Sequence, residues 1–267
     1  MANVALGKLS LSYLDAGRGP ALLLFHAFPL HKEMWLPQVE ALSAHYRVVA
    51  PDARGLGDSR PAPDVLTMEI MADDAAAVLD HLGVNKVVVC GLSMGGYGAL
   101  AFWRRHRHRI GGLVLASTRA VADTDDARAG RETFARQALE HGIDWVLTEV
   151  QARLQRPVPI PAVATEIERI VRGNTVAGIA AAQRGMAARA DSSALLAEID
   201  CPALVIAADD DSYIAPEIPV QMAAQIKRAK VVRIAGAGHL SNLEQPLVFN
   251  EALSAFLTEL RPERLPP

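Results

Sequence analysis

The sequence predicts an α/β fold with a mostly parallel, eight-stranded sheet, flanked by helices and interrupted by an all-helical insertion. Short apolar runs alternate with stretches in which apolar residues recur at helical spacing. Most of these runs are apolar at every position, which is typical of strands covered on both faces of a parallel sheet. The alternation stops over residues 119–193, where only helical patterns occur.

The amino-terminal part of the chain predicts strands, with one helix between them. Apolar residues at Leu9, Leu11 and Tyr13 alternate with serines, which is the period of a half-buried strand. Glycines and a proline then indicate a turn. The expected elements are a β-hairpin over 2–15, a turn over 17–20, strands over 21–25 and 46–50, and a helix around 35–44.

The next part of the chain continues the alternation up to the insertion. Met68, Met71 and Ala75 begin a pattern of helical spacing, and Thr67 is placed to cap that helix. The expected elements are a helix over 68–82, a strand over 87–90, a helix to about 107 and a strand over 113–116.

The insertion predicts a helical cap (lid) over 119–193, and the segments 1–118 and 194–267 then form the core domain. In open α/β sheets, ligands bind at the carboxyl ends of the strands, which such a cap would cover. The alternative is that these helices extend the core. The expected helices are 143–154, 160–171 and 176–190.

Strands and helices alternate again after the insertion. This second alternating stretch predicts that the carboxyl-terminal part of the chain completes the sheet. The expected elements are a strand over 203–208, a helix over 218–226, a strand over 230–235, a last helix over 249–260 and a frayed end over 261–267.

Composition narrows the class of protein. The 267-residue chain is 51% hydrophobic and 21% charged, which suits one large domain or a domain with an inserted subdomain. A formal net charge of −3 gives no reason to expect nucleic acid or an anionic membrane as a partner. The chain has two cysteines, no signal-like start and no apolar run of membrane-spanning length. We therefore expect a cytoplasmic protein that binds neither nucleic acid nor a membrane; composition does not predict its oligomeric state.

Residues 91–95 read Gly-Leu-Ser-Met-Gly between the apolar run 87–90 and a helical pattern. A serine at such a turn has its hydroxyl above the sheet, beside the N–H groups of the helix start. The flanking glycines give room and tolerate the sharp turn. Ser93 is therefore the candidate nucleophile. The alternative is a glycine-rich turn that contains a serine by chance.

Candidate partners for this serine follow two other predicted strands. A serine hydroxyl needs a base within hydrogen-bond reach, and the base needs a third group that fixes its tautomer. Residues 209–211 are all aspartate and follow one strand, and His239 follows the last strand. Three separate loops therefore place a serine, an acid and a histidine at one edge of a parallel sheet.

Four loop motifs, spread over nearly the whole chain, resemble the loop motifs of a known family. They are His-Ala-Phe-Pro at 26–29, Asp-Ala-Arg-Gly-Leu-Gly-Asp-Ser at 52–59, the serine turn at 91–95 and Gly-Ala-Gly-His at 236–239. The chain resembles the α/β-hydrolase-fold family, which also has the order Ser, Asp, His. Within that family it is most similar to small capped carboxylesterases and 3-oxoadipate enol-lactonase-like hydrolases.

The resemblance implies a role for each matching position. Ser93 attacks an acyl carbonyl. His239 takes the serine proton and later donates it to the leaving alkoxide. The backbone N–H groups of Phe28 and Met94 form the oxyanion hole.

Two positions depart from the family pattern. Ala27 stands where the family usually has glycine, in the loop that directs the Phe28 N–H. The family's usual spacing, three residues after the small residue that ends the strand, implies that Asp211 is the triad acid, with Asp210 and then Asp209 as alternatives. The proline expected after the acid comes one residue late, at Pro216.

These residues predict a serine hydrolase that cleaves a small carboxylic ester or lactone through an acyl-enzyme, with no cofactor. Two alternatives keep the same triad: a cofactor-free perhydrolase of haloperoxidase type and a hydrolase-fold receptor for a small molecule. A haloalkane dehalogenase is disfavoured because it needs an aspartate in place of Ser93. No metal site is expected, since His106 and His108 have no evident third ligand.

Overall fold

The chain folds around one sheet. A computed structural model describes residues 2–260, so the end predicted to fray, 261–267, lies outside the described residues. The strands are β1 (Ala2–Leu6), β2 (Leu9–Ala16), β3 (Ala21–Phe25), β4 (Arg47–Pro51), β5 (Val87–Leu92), β6 (Ile110–Ala116), β7 (Ala203–Ala208) and β8 (Ala229–Ile234). They lie in the order β1-β2-β4-β3-β5-β6-β7-β8.

The sheet is antiparallel at one edge and parallel elsewhere. Strand β2 pairs antiparallel with β1 and β4, and each remaining pair is parallel. Every residue of β3, β5 and β7 is buried, as their continuous apolar runs predict for strands covered on both faces. The predicted eight-stranded, mostly parallel sheet is confirmed.

In the described part of the chain, ten α-helices lie around the sheet or form the insertion. The Thr67 hydroxyl caps the second of them by accepting a 3.1 Å hydrogen bond from the Ile70 N–H, as predicted. The helices are α1 (Leu36–Leu42), α2 (Met68–His81), α3 (Met94–His106), α4 (Asp125–Leu154), α5 (Pro161–Arg172), α6 (Val176–Ala188), α7 (Ser193–Leu196), α8 (Glu217–Ala223), α9 (Ser241–Glu244) and α10 (Pro246–Glu259).

The insertion between β6 and β7 is helical, and its first helix is longer than the sequence predicts. Helix α4 begins at Asp125 rather than 143, and Gly142 interrupts it with φ 81° and ψ −168°. Its first half buries Arg131, Ala135 and Ala138, with Phe134 half-buried beside them, so it has no run of large apolar residues at helical spacing that would mark a helix in the sequence. The division of the chain into a core domain and a cap over 119–193 stays a prediction.

Three properties of the described residues concern what a membrane-spanning helix, a metal site and a disulfide require. No helix within 2–260 combines the length and the apolar composition that crossing a bilayer requires. In the same range, no three His, Cys, Asp or Glu side chains are grouped as metal ligands. Cys90 and Cys201 are buried, free thiols.

Candidate active site

The turn between β5 and α3 positions the candidate nucleophile. Ser93 has φ 57° and ψ −115°, a backbone conformation that a residue with a side chain adopts only where its surroundings enforce it. A Cβ at Gly91 would lie 2.1 Å from the carbonyl oxygen of Gly95. A Cβ at Gly95 would lie 2.1 Å from that of Phe25. The turn therefore requires glycine at both positions.

A chain of hydrogen bonds joins three of the predicted site residues. His239 Nε2 lies 2.7 Å from Ser93 Oγ, and His239 Nδ1 lies 2.8 Å from Asp211 Oδ2. All three residues are buried, with exposed fractions of 5% for Ser93, 0% for His239 and 6% for Asp211. A neutral imidazole with its proton on Nδ1 donates to the carboxylate and accepts from the serine hydroxyl.

The three consecutive aspartates have different surroundings. Asp211 Oδ1 accepts hydrogen bonds from the N–H groups of Tyr213 at 2.8 Å and Ile214 at 2.9 Å, which leaves Oδ2 for the histidine. Asp209 pairs with Arg233 at 2.7 Å, and Asp210 is exposed. Of the three candidates, only Asp211 contacts His239.

Glu244 anchors the loop that carries His239. Its Oε2 accepts hydrogen bonds from the N–H groups of Gly238 at 3.0 Å and Arg156 at 3.1 Å. Burial raises the pKa of Glu244, and the two N–H groups oppose that rise. The loop is thereby held against the end of α4. Sequence reasoning missed Glu244, because one acidic residue after the histidine motif carries no recognisable spacing.

The two expected oxyanion donors belong to a residue that lines the same pocket as Ser93, Phe28, and to the residue that follows Ser93, Met94. Phe28 lies in the loop after β3, and Met94 is the first residue of α3, where the helix dipole favours negative charge. Within residues 2–260, neither backbone N–H donates to a protein acceptor. Ala27, the departure from the family pattern, is buried; its N–H donates to Met34 Sδ at 3.1 Å.

His26 supports this loop. Its Nε2 accepts a 2.9 Å hydrogen bond from the Ala53 N–H, and its Nδ1 donates to the Ala27 carbonyl at 3.0 Å. Burial lowers the pKa of His26 to about 4, so the ring is neutral at pH 7. His26 therefore joins the oxyanion loop to the loop 52–59, and both of its ring nitrogens are occupied by partners other than Ser93.

The serine opens into a pocket between the sheet and the insertion. Tyr213 packs the edge of its ring against the His239 imidazole at a centroid distance of 5.0 Å, and Phe134 packs against Phe28 at 6.0 Å. Helices α4 and α6 form much of the wall. The remaining lining residues are Pro29, Tyr97, Arg131, Glu149, Val150, Arg153, Leu154, Gln183 and Met186.

A mostly parallel sheet whose central strand leads into a Gly-x-Ser-x-Gly turn, with a helical insertion over its carboxyl edge, defines an α/β hydrolase fold. The chain belongs to the α/β hydrolase family. The family model described as alpha/beta hydrolase fold matches residues 20–246. The predicted family relationship is therefore confirmed.

Three proteins to which this chain is similar are named as an enol-lactonase, a putative carbamate hydrolase and an esterase. The chain is 29% identical over 258 residues to 3-oxoadipate enol-lactonase 1 of Acinetobacter baylyi, covering 95% of this chain and 94% of the relative. It is 31% identical over 250 residues to the putative carbamate hydrolase RutD of Agrobacterium fabrum, covering 89% and 93%. A solved thermophilic esterase from Thermogutta terrifontis, with malate bound, is 39% identical, has a TM-score of 0.92 and covers 94% of each chain. These names agree with the expectation of an enzyme that hydrolyses carboxylic esters or lactones.

Proposed function

We propose that this protein is a serine hydrolase that cleaves small carboxylic esters or lactones through an acyl-enzyme. The observation that carries the proposal is the buried hydrogen-bond chain from Ser93 through His239 to Asp211, which ends at the pocket. The names of the esterase and enol-lactonase relatives support the same reaction class.

Acylation begins at the serine hydroxyl. As Ser93 Oγ attacks the acyl carbonyl, its proton passes to His239 Nε2, and Asp211 stabilises the imidazolium through Nδ1–H. The two N–H groups that bind Asp211 Oδ1 keep that carboxylate in place. The alkoxide then leaves with the proton from His239.

The backbone N–H groups of Phe28 and Met94 stabilise the negative charge that develops on the carbonyl oxygen. Such preorganised donors act most strongly in a water-excluded site, and the loss of one typically reduces turnover by about 10²–10³-fold. Their lack of a protein acceptor within the described residues leaves both available.

Deacylation repeats the sequence with water as the nucleophile. His239 takes a proton from the water, the hydroxide attacks the acyl-enzyme, and Ser93 recovers its proton as the carboxylic acid is released. A cap formed by 119–193 would restrict the size of the acyl group, since Phe134 and Met186 of this segment line the pocket. The proposed substrates are therefore small.

Hydrolysis of short-chain p-nitrophenyl esters tests the proposal. Ser93→Ala is expected to reduce kcat by at least about 10³-fold. Ser117→Ala is a matched control, because Ser117 is a buried serine with positive φ (43°) at the end of the adjacent strand, and its hydroxyl has no protein partner among the described residues. Full activity in Ser93→Ala would overturn the proposal. Peracid formation from acetate and peroxide, measured in parallel, separates a perhydrolase from an esterase.

A further inference from the structure

A buried arginine lines the same pocket as Ser93. Arg131 lies on α4, is 9% exposed and contributes to the pocket wall. Its Nε donates to Asp123, and its Nη1 donates to Gln183 Oε1 at 2.8 Å. The guanidinium is therefore held in one orientation by two side chains.

One nitrogen of this guanidinium, Nη2, has no hydrogen-bond partner among the described residues. Within residues 2–260, Arg131 Nη2 makes no hydrogen bond, and it is not one of the unpartnered polar atoms that are sealed from solvent. Gln183 also lines the pocket; its Oε1 is occupied by Arg131, while its amide N–H₂ donates no hydrogen bond within residues 2–260. Two sets of N–H donors are thus available at the pocket wall.

The charge around Arg131 is unbalanced. Asp123 accepts hydrogen bonds from three guanidinium groups, those of Arg119, Arg131 and Arg189. Burial would raise the pKa of Asp123, but the hydrogen bonds from Arg189 and Arg131 lower it to about 2, so the carboxylate is ionised at pH 7. One negative charge therefore meets three positive charges, and a mostly buried excess of positive charge favours an anion.

No neighbouring acid at the pocket wall supplies this anion. Among the described residues that line the pocket, the only carboxylate is that of Glu149. Glu149 is exposed, makes no hydrogen bond to Arg131 and is accompanied by the exposed Arg153. An arginine held in place at Nε and Nη1, with its Nη2 N–H₂ group unpaired, can donate a charge-assisted hydrogen bond to a carboxylate.

We propose that Arg131, assisted by the Gln183 amide, binds a carboxylate of the substrate, so that the enzyme prefers esters or lactones that carry an acid group. This inference rests on the proposed function, because it concerns the pocket of the same Ser93. The acid lies at a distance from the reacting carbonyl and takes no part in bond breaking. Its ion pair with Arg131 positions the acyl group at the serine.

Two pairs of substrates test the inference. Mono-p-nitrophenyl glutarate carries the acid in its acyl part, and acetoxyacetate carries it in its alcohol part; each is compared with its neutral terminal amide after subtraction of the uncatalysed rate. We expect kcat/KM for the acid to exceed that for the amide by about 10-fold or more in at least one pair, as a charge-assisted hydrogen bond implies. No preference in either pair would overturn the inference.

Variants assign the preference to the arginine. Arg131→Gln is expected to abolish the acid-to-amide ratio, and Arg131→Lys to retain part of it, since lysine keeps the charge without the planar edge. Arg184→Gln is the matched control: Arg184 pairs with Glu132 outside the pocket, and its variant should keep the wild-type ratio. A ratio unchanged in Arg131→Gln would contradict the assignment. Because the ratio compares two substrates of one preparation, partial unfolding does not alter it.

The two proposals fail separately. If Ser93→Ala still hydrolyses the neutral amide esters at the wild-type rate, the proposed function is wrong. If hydrolysis depends on Ser93 but no acid preference exists, only the role of Arg131 is wrong.

Discussion

The backbone N–H of Gly238 donates a 3.0 Å hydrogen bond to Glu244 Oε2, one residue before His239. The same oxygen accepts the N–H of Arg156, just after α4 ends. One buried carboxylate therefore fixes the histidine loop against the end of the insertion's first helix.

Glu244→Ala is expected to lower kcat by about tenfold or more while changing KM less. Two N–H groups would lose their acceptor, at about 1–3 kcal/mol each, and the loop that carries His239 would shift. Glu244→Gln keeps a carbonyl oxygen for both N–H groups and should retain most of the activity. Steady-state kinetics and thermal unfolding of both variants check this. An equal loss of kcat in the two variants would contradict a positioning role for the hydrogen bonds.

Asp211→Asn is expected to reduce kcat by about 10⁴-fold, because an amide in this position favours the wrong histidine tautomer. Asp210→Asn is the matched control, since Asp210 is exposed and adjacent in the chain. Its kcat should stay within about twofold of the wild type, in line with the small effects of surface substitutions. A larger effect at Asp210 than at Asp211 would reassign the acid.

Gly95→Ala is expected to destabilise the protein by about 1–3 kcal/mol and to reduce esterase activity, because the new Cβ overlaps the Phe25 carbonyl oxygen. Gly130→Ala, in α4, places its Cβ where no atom lies within 4 Å, so it should stabilise the helix by about 0.5–1 kcal/mol. Denaturant unfolding and ester hydrolysis of both variants measure the two effects. Wild-type stability in Gly95→Ala would show that the turn accommodates a side chain.

The buried His26 makes stability depend on pH. Its pKa is lowered from 6.5 to about 4, so between these pH values the unfolded chain binds a proton that the folded protein does not. The free energy of unfolding therefore falls as pH falls through this range, by up to about 3 kcal/mol. In His26→Gln this contribution is absent.

Denaturant unfolding at several pH values measures the effect. The difference in unfolding free energy between wild type and His26→Gln should narrow from pH 7 to pH 5. The exposed His45 provides the control, and His45→Gln should follow the wild type. A His26→Gln difference that stays constant with pH would show that His26 titrates normally.

The ends of the strands and the motifs that follow them could be predicted from the sequence. Ser93 lies in a recognisable loop motif after the buried strand β5, His239 ends another after the edge strand β8, and parallel strands bring those loops to one edge. The choice among three aspartates depends on local geometry: the turn after β7 directs Asp211 toward the histidine and Asp209 toward Arg233. Spacing alone left that choice open.

The pocket wall was harder to predict. Arg131 lies in the half of α4 whose buried residues are Arg131, Ala135 and Ala138, and without a run of large apolar residues at helical spacing the sequence did not predict a helix there. Its pairing with Asp123 and Gln183 joins separate parts of the insertion, and no local pattern encodes such contacts. The role of Glu244 was equally hard to predict, because one of its two hydrogen-bond partners is Arg156, which is distant in the sequence.

The central claim is that Ser93 forms the covalent intermediate. Treatment with a p-nitrophenyl phosphonate, followed by intact-mass analysis and peptide mapping, tests this most directly. We predict one adduct per chain, on the peptide that contains Ser93, with parallel loss of esterase activity and no adduct in Ser93→Ala. An adduct that persists in Ser93→Ala, or esterase activity that survives complete modification of Ser93, would contradict the account.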